Sequence, residues 1–301
     1  MKPIIKPLVS IVSINYNSTV QTKELLLSLR KVNYENLEII IVDNGSANRD
    51  IEDIVDEFPE VNFIMNSDNL GFAGGNNVAI KEAKGEYVFL VNNDAELTPD
   101  CIPPLLDTFK QFEDVGAVSP KFHYFNKPGI IEYAGYSSIS ALTGRNETIG
   151  ADEKDQGQYD QVSVTHYTHG GGMMVPKSII EKVGPMPEDY FLYYEEFDWC
   201  EMIKKAGYKI YYQPKALVCH KVSASIGQDS TLKTYYLTRN RILFMRRNKS
   251  SVSYAIFLTF LLFFTIPKNV LSFISKGKYK HLSVFWKAIT WNFGIKEVPQ
   301  F

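Results

Sequence analysis

Four stretches of this sequence carry side chains whose type and spacing could do chemistry. Asp94 closes the run Phe89-Leu90-Val91-Asn92-Asn93-Asp94, a carboxylate at the end of an apolar strand. A carboxylate placed there can ligate Mg²⁺ or Mn²⁺, hard ions that prefer oxygen and bridge to phosphate oxygens; Asn and Asp are also ordinary turn residues after strands. The segment Tyr193–Trp199 sets Glu195, Glu196 and Asp198 among aromatic rings. Acids crowded beside apolar rings tend to have raised pKa values, as a general base needs, while the same acids at a helix start would complement its dipole. His220 ends the strand-like run Ala216–His220; its imidazole could share a metal with Asp94 or be structural. The stretch Asn69–Asn77 is rich in Gly and Asn, and Gly71, Gly74 and Gly75 would permit close approach of a phosphate to backbone N–H groups. It lacks the Gly-Lys-Ser/Thr of a P-loop and does not match G-x-G-x-x-G, which argues against a dinucleotide cofactor; a loop with no ligand is the other reading.

The elements that must position these residues are legible in the hydrophobic pattern. Strands are expected at 8–14, 38–42, 61–65 and 86–91, and helices at 19–31, 49–57 and 77–84, the last ending at Gly85. Strand and helix thus alternate over the first 110 or so residues, which predicts an α/β fold with a mostly parallel sheet and helices on both faces. In such sheets ligands bind at the carboxyl ends of the strands, where the turns Asn15–Asn17, Asp43–Ser46 and Asn92–Asp94 all fall. Residues 120–165 read as an exposed loop or hairpin near the acceptor side. A short strand at 169–175, helices at 177–183 and 195–206 and a strand at 208–212 follow.

The balance of 32 basic and 34 acidic residues, net −2, argues against a nucleic-acid partner, which calls for a strongly basic face. Three cysteines, Cys101, Cys200 and Cys219, have no C-x-x-C spacing, so a disulfide framework or zinc cluster is not expected and a reducing cytoplasm fits. The first ten residues lack the long apolar run of a secretory signal. Nothing in the sequence sets an oligomeric state. Residues 233–248 are rich in Tyr and Arg, and the apolar run 252–266 that follows is shorter than the roughly 20 residues that span a bilayer. Basic residues flank it on both sides, which favours helices lying on or re-entering a membrane surface; a buried helix packed on the main domain is the alternative. The expected organisation is a catalytic domain over 1–232, with a nucleotide-binding half of about 1–115 and an acceptor-binding half of about 116–232, then a membrane-associating helical segment over 233–301.

The motifs, in their order along the chain, resemble those of the family 2 glycosyltransferases, with a GT-A fold, and within them the rhamnosyltransferase-like branch. The matching segments are 10–18 (SIVSINYNS), 39–46 (IIIVDNGS), 69–77 (NLGFAGGNN), 89–94 (FLVNND), 170–175 (GGGMMV), 191–210 (FLYYEEFDWCEMIKKAGYKI) and 238–248 (TRNRILFMRRN). The resemblance implies that Ile14, Asn15 and Tyr16 contact the base and ribose of a nucleotide sugar, and that Asp43 reads the base. It implies that Asn69, Gly71, Phe72, Gly74, Asn76 and Asn77 run along the diphosphate, and that Asn92, Asn93 and Asp94 occupy the D-x-D position with Asp94 as metal ligand. His220 matches a second ligand, at a spacing from Glu196 (220 − 196 = 24) that fits the pattern. Glu196, beside Glu195, inherits the role of general base where many members have Asp. Gly170, Gly171, Gly172, Tyr194, Asp198 and Trp199 are assigned to the donor sugar and acceptor, and Arg239 and Arg241 to a diphosphate, unless those arginines form a solvated helix face.

The expected reaction is an inverting, Mn²⁺- or Mg²⁺-dependent transfer of a sugar, with L-rhamnose from dTDP-rhamnose the first choice and UDP-sugars open, to a glycan or lipid-linked glycan at the inner face of the cell membrane. A sugar-phosphate nucleotidyltransferase is a second reading, but the stretch 13–18 lacks the glycine-rich basic motif such an enzyme uses. A non-catalytic, membrane-bound carbohydrate-binding protein is a third, against which Asp94 and Glu196 speak.

Overall fold

The computed structural model describes residues 6–221, 230–295 and 299. They divide into two compact units: residues 6–137, 148–189 and 195–221 form the first, and 138–147, 190–194 and 230–295 the second.

The first unit opens with β1 (Val9–Asn15), α1 (Thr19–Leu29), β2 (Leu37–Asp43), a 3₁₀ turn over Asp50–Glu57, β3 (Val61–Met65), α2 (Gly71–Glu82) and β4 (Tyr87–Val91). β1 is central, paired in parallel with β2 on one side and β4 on the other, and β3 extends the sheet beyond β2. A strand covered on both faces must be apolar throughout; hence Val9, Ile11 and Val12 are fully buried, with Ser10 and Ser13 the small polar exceptions. α1 buries Leu25, Leu26 and Leu29 on one face.

After β4 come β5 (Ala95–Leu97), α3 (Ile102–Gln111), β6 (Val115–Tyr124), β7 (Ile131–Tyr133), β8 (Ser163–Thr165), β9 (Gly172–Pro176), α4 (Lys177–Val183), α5 (Glu195–Lys205) and β10 (Lys209–His220). The sheet order is β3-β2-β1-β4-β9-β6-β10-β5, with β7 added to β6 and β8 to β10. The first four strands are parallel as the alternation implies. Beyond β4 the sheet is mixed: β9 runs antiparallel between β4 and β6, and β10 pairs parallel with β6 and antiparallel with β5.

Two expectations are corrected in this unit. α2 begins at Gly71 rather than Asn77. Side chains cap it: Asn69 Oδ1 accepts from Gly71 N–H at 2.9 Å, and Asn44 Oδ1 from Leu70 N–H at 3.2 Å. Residues 120–165 are more than an exposed loop. β6 continues to Tyr124, β7 folds back on it, and Ile131, Tyr133 and Ala134 are core residues.

The second unit contains α6 (Thr231–Asn248), α7 (Ser251–Phe260), a π turn over Leu261–Thr265, α8 (Ile266–Ser275) and α9 (Tyr279–Trp291). α9 packs on α6 and α8. The apolar run read over 252–266 is part of one continuous 25-residue helix, Ser251–Ser275, of which 11% of the apolar window is buried. Its length of about 37 Å exceeds the roughly 30 Å hydrocarbon core. Pro267 does not break it, because the preceding turn widens: the N–H of Ile266 reaches back five residues to the Leu261 carbonyl. Val252, Leu262, Phe263, Phe264 and Leu271 are each more than half exposed, so the alternative of a helix buried in a core does not hold.

Candidate active site

The carboxyl edge of the parallel strands is knit by polar side chains. Asn15 Nδ2 donates to Asp43 Oδ1 at 2.7 Å, and Ser46 donates to both Asp43 oxygens, from its hydroxyl at 2.6 Å and its N–H at 3.1 Å. Thr22 Oγ1 donates to Asn15 Oδ1 at 2.8 Å, and Asn93 Nδ2 donates to Ser18 Oγ and Thr22 Oγ1 at 2.7 and 2.9 Å. The turns after β1, β2 and β4 are therefore one network. Asn15 and Asp43 are buried in its floor, Ile14 is half-buried and Tyr16 is exposed at the rim. The turn after β2 approaches the chain before α2 so closely that a Cβ at Gly45 would lie 2.5 Å from the Asp68 carbonyl carbon, and Gly45 has φ +76°.

The residues of the predicted loop divide their work. Asn76 and Asn77 are committed to backbone: Asn76 Nδ2 donates to the Phe72 carbonyl, while Asn77 donates to the Met186 carbonyl and accepts from its N–H at 3.0 Å. Gly74 and Gly75 serve packing, since a Cβ at Gly75 would meet Ile14 and Asn44. Gly71 and Phe72 open α2, with Asn69 capping the Gly71 N–H from outside the helix; a helix N-terminus suits an anion.

Sheet register brings Asp94 to His220, 126 positions away in the chain. β5 pairs with the end of β10 so that Ala95 opposes His220, and Lys221 N–H donates to the Asp94 carbonyl. His220 Nε2 then lies 3.1 Å from Asp94 Oδ1, and its Nδ1 lies 2.9 Å from the Glu132 carboxylate. His169 Nε2 approaches Glu132 Oε1 at 3.7 Å, and its Nδ1 accepts from Gly171 N–H at 3.0 Å. Burial alone would lower the His220 pKa, but Asp94 and Glu132 outweigh it and push it up to about 10. His169 goes the other way: burial lowers it to about 4, and Glu132 offsets this only in part. One imidazole thus holds a positive charge between two carboxylates and the other is neutral.

That arrangement fits a divalent cation. Glu132, His169 and His220 offer ligand atoms within 4.8 Å of one another. Two donors held cis about an ion at about 2.1 Å each lie about 3.0 Å apart, close to the 3.1 Å between Asp94 Oδ1 and His220 Nε2. Glu132 on the other ring nitrogen is the partner that a metal-ligating histidine uses to fix its tautomer. Sequence reasoning missed Glu132 and His169. Glu132 sits on a three-residue strand inside the stretch read as a loop, and His169 stands just before the triglycine without a motif of its own.

Gly170–Gly172 connect this cluster to α5. Gly171 accepts at its carbonyl from Asn92 N–H, a Cβ at Gly172 would lie 2.6 Å from the Phe122 ring, and a Cβ at Gly170 would lie 3.6 Å from Glu196 Oε1. Tyr136 bridges the same space, its ring parallel to His169 and edge-on to Phe197 at 5.5 Å. Of the four acids on α5, Glu195 and Asp198 are 2% exposed, Glu201 is half-buried and bound to Tyr167 and Lys204, and Glu196 is half-buried beside the glycines. Trp199 is fully buried and donates from Nε1 to the Gly184 carbonyl at 2.9 Å, which anchors α5 in the core.

Tyr194, Arg239 and Arg241 belong to the second unit. Phe191, Tyr193 and Tyr194 have φ of +64°, +70° and +77°, a backbone that costs energy and must be held by its surroundings. Asn240 Nδ2 lies 2.9, 2.7 and 2.8 Å from the carbonyls of Tyr190, Leu192 and Tyr193, and Arg239 also donates to the Tyr190 carbonyl. Arg239 is 4% exposed, with Tyr236 and Trp291 rings against its guanidinium. Neither arginine forms the solvated basic face that the sequence left open. Arg239 fastens the Tyr190–Tyr194 turn.

Comparisons with known proteins agree with this geometry. The family model for "Glycosyl transferase family 2" matches residues 10–184. The chain is 26% identical over 245 residues to a low-salt glycan biosynthesis hexosyltransferase of Haloferax volcanii, covering 78% of this chain and 74% of that one. It is 24% identical over 239 residues to the N-acetylglucosaminyl-diphospho-decaprenol L-rhamnosyltransferase of Mycobacterium tuberculosis, covering 73% and 78%. Among solved structures, a mannosyltransferase from Pyrobaculum calidifontis in complex with GDP-Man and Mn²⁺ superposes with a TM-score of 0.59 at 16% identity, covering 98% of this chain and 89% of that one. GalNAc-T7 with UDP, GalNAc and Mn²⁺ superposes with a TM-score of 0.60 at 14% identity, covering 77% and 48%. Both share the GT-A fold expected from the motifs.

Proposed function

The chain belongs to glycosyl transferase family 2 and is a glycosyltransferase using nucleotide-sugar donors, and from that premise we propose that it is an inverting, metal-dependent enzyme that extends a lipid-linked glycan at the cytoplasmic face of the membrane. L-Rhamnose from dTDP-rhamnose is the sugar favoured, by likeness to the mycobacterial rhamnosyltransferase. The observation that carries the reading is the joining of Asp94, His220 and Glu132 at one sheet edge, with Glu196 open beside the triglycine.

Mn²⁺ or Mg²⁺ on Asp94 and His220 would neutralise the charge developing on the departing diphosphate. Glu132 orients His220 by holding Nδ1 and leaves Nε2 for the ion. The N-terminal turn of α2 offers backbone N–H groups to phosphate oxygens, and the Asn15–Asp43–Ser46 network shapes the base and ribose site. Gly170 leaves space beside Glu196, and Gly171 leaves space beside His169 and Asn92, that a side chain would fill. Glu196 takes the proton of the acceptor hydroxyl as that oxygen bonds to the anomeric carbon; the bond from that carbon to the diphosphate breaks, and its electron pair leaves with the diphosphate. The exposed apolar helix 251–275 supports attachment to a membrane surface.

Donor binding tests this. In calorimetry the wild-type protein binds dTDP-rhamnose or a UDP-hexose only with Mn²⁺ or Mg²⁺ present, and Asp94→Ala removes that dependence together with transfer. Equal donor affinity for wild type and variant in saturating Mn²⁺ would refute the assignment of Asp94.

A further inference from the structure

The second unit contains a cavity of about 370 Å³, lined in part by Arg145, Asn146, Tyr194, Thr238, Arg241 and Asn269. The size is that of a small-ligand site. Arg241, on α6, is only 5% exposed. Its Nε and the Nδ2 of Asn146 are both buried, and among the described residues neither has a hydrogen-bond acceptor. Loop 140–147 crosses directly over the arginine, where Gly144 (φ +64°) would otherwise bring a Cβ to 3.0 Å from Arg241 Cγ. The side chain is therefore held in place, yet among the described residues no carboxylate lines the cavity. Burial pulls the Arg241 pKa down; Tyr194 offsets this only in part, and Arg145 adds to the lowering. A buried donor without an acceptor is costly, and an unpaired buried cation more so. Two such donors facing one cavity, with a second guanidinium at its rim, are the complement of an oxygen-rich anion, and arginine suits the oxygens of a phosphate ester.

A second cavity is built on the same loop and the same helix. Leu142, Val252, Ile256, Thr259, Phe260 and Phe264 line most of an apolar groove of about 460 Å³. The same loop supplies Leu142 to the groove and Arg145 and Asn146 to the anion cavity. The same helix supplies 252–264 to the groove and Asn269 and Phe273 to the cavity. A ligand that fits both has a phosphate head and a hydrocarbon chain.

We propose that this unit binds the diphosphate of a lipid-linked acceptor, with Arg241, Asn146 and Arg145 on the phosphate oxygens and the polyisoprenoid chain in the apolar groove. The proposal rests on the reading that the acceptor is lipid-linked, and it assigns to Arg241 alone the diphosphate role that the sequence had shared with Arg239.

The test titrates farnesyl diphosphate, below its micellar concentration, into the full-length protein, with pyrophosphate and phosphatidylglycerol vesicles as separate arms. Farnesyl diphosphate should bind more tightly than pyrophosphate, and Arg241→Met should weaken it by about tenfold or more. Arg241→Met should melt no lower than wild type, because it removes an unpaired buried charge. Should that variant fail to fold, Arg145→Ala, at an exposed position, carries the test through a several-fold loss of affinity. Equal farnesyl diphosphate affinity in wild type and variants would overturn the proposal. So would pyrophosphate binding as tightly as farnesyl diphosphate, or Arg241-dependent vesicle binding that farnesyl diphosphate does not displace. Donor binding with Mn²⁺, measured on the wild type, separates the two ideas: its absence breaks the glycosyl-transfer reading and leaves the pocket, whereas loss of Arg241 dependence alone breaks the pocket.

Discussion

Strand β6 carries a histidine and carboxylate cluster on each of its two faces, and the clusters differ in where their positive charge comes from. Successive side chains of a strand point to opposite faces. On one face Lys121 donates to Asp155 and Asp160 at 2.9 and 2.6 Å, and His123 lies 2.8 Å from Asp155. On the other, Phe122 packs against the rings of His169 and His220, with Glu132 and Asp94 on the two nitrogens of His220. The first cluster brings its own cation and ties loop 155–160 to the sheet. In the second, the group between two carboxylates is an imidazole, whose proton can be exchanged for a metal. Similar residue types thus give a fastener on one face and a candidate metal site on the other.

The largest effect that can break this contrast lies beside the second cluster. Glu196→Gln keeps the shape of the half-buried acid beside the glycines and removes its basicity. Transfer should fall about 10²- to 10⁴-fold with donor affinity unchanged. Near wild-type kcat would instead place the base elsewhere and deprive the metal cluster of its catalytic neighbour.

Glu132→Gln sharpens the contrast at intermediate size. An amide cannot stabilise the His220 imidazole as a carboxylate does, and loss of such a partner typically costs about 10- to 100-fold in metal affinity. The Mn²⁺ concentration giving half-maximal transfer should rise by that factor, while saturating Mn²⁺ restores most of kcat. A drop in melting temperature with unchanged Mn²⁺ affinity would make this cluster a fastener too.

How much of this was legible in the sequence follows from how local each cause is. β1 to β4 were readable because a strand buried on both faces must be apolar, and the polar turns after three of them marked the edge that binds ligands. Asp94 and His220 were readable by resemblance, but that they meet is a product of β5–β10 register. Glu132 was not readable: β7 is three residues long and gains its meaning from pairing with β6. The start of α2 was missed because its caps, Asn44 and Asn69, act through side-chain hydrogen bonds that no periodicity reveals. The surroundings of Arg239 were not readable either, because a charge held by aromatic rings and a carbonyl looks, as a letter, like one awaiting phosphate. The continuity of helix 251–275 past Pro267 depends on a π turn, which composition does not announce.

The smallest effect belongs to the fastener and is one of stability. Burial opposes ionisation of Asp155, yet Lys121, the Gly157 N–H and His123 hold its carboxyl at about 2, against 3.8 without them. A lowered carboxyl pKa stabilises the native state above the unfolded value and loses that contribution as pH falls through the folded one. Asp155 should therefore contribute about 2 kcal/mol at neutral pH, present above about pH 4 and fading towards pH 2. Asp155→Asn should lower stability to denaturant by that amount at pH 7 and flatten its decline between pH 4 and 2, with Mn²⁺ dependence and kcat unchanged in the folded enzyme. A variant as stable as wild type but with altered Mn²⁺ dependence would mean that β6 transmits between its two faces, and the separation of fastener from candidate metal site would fail.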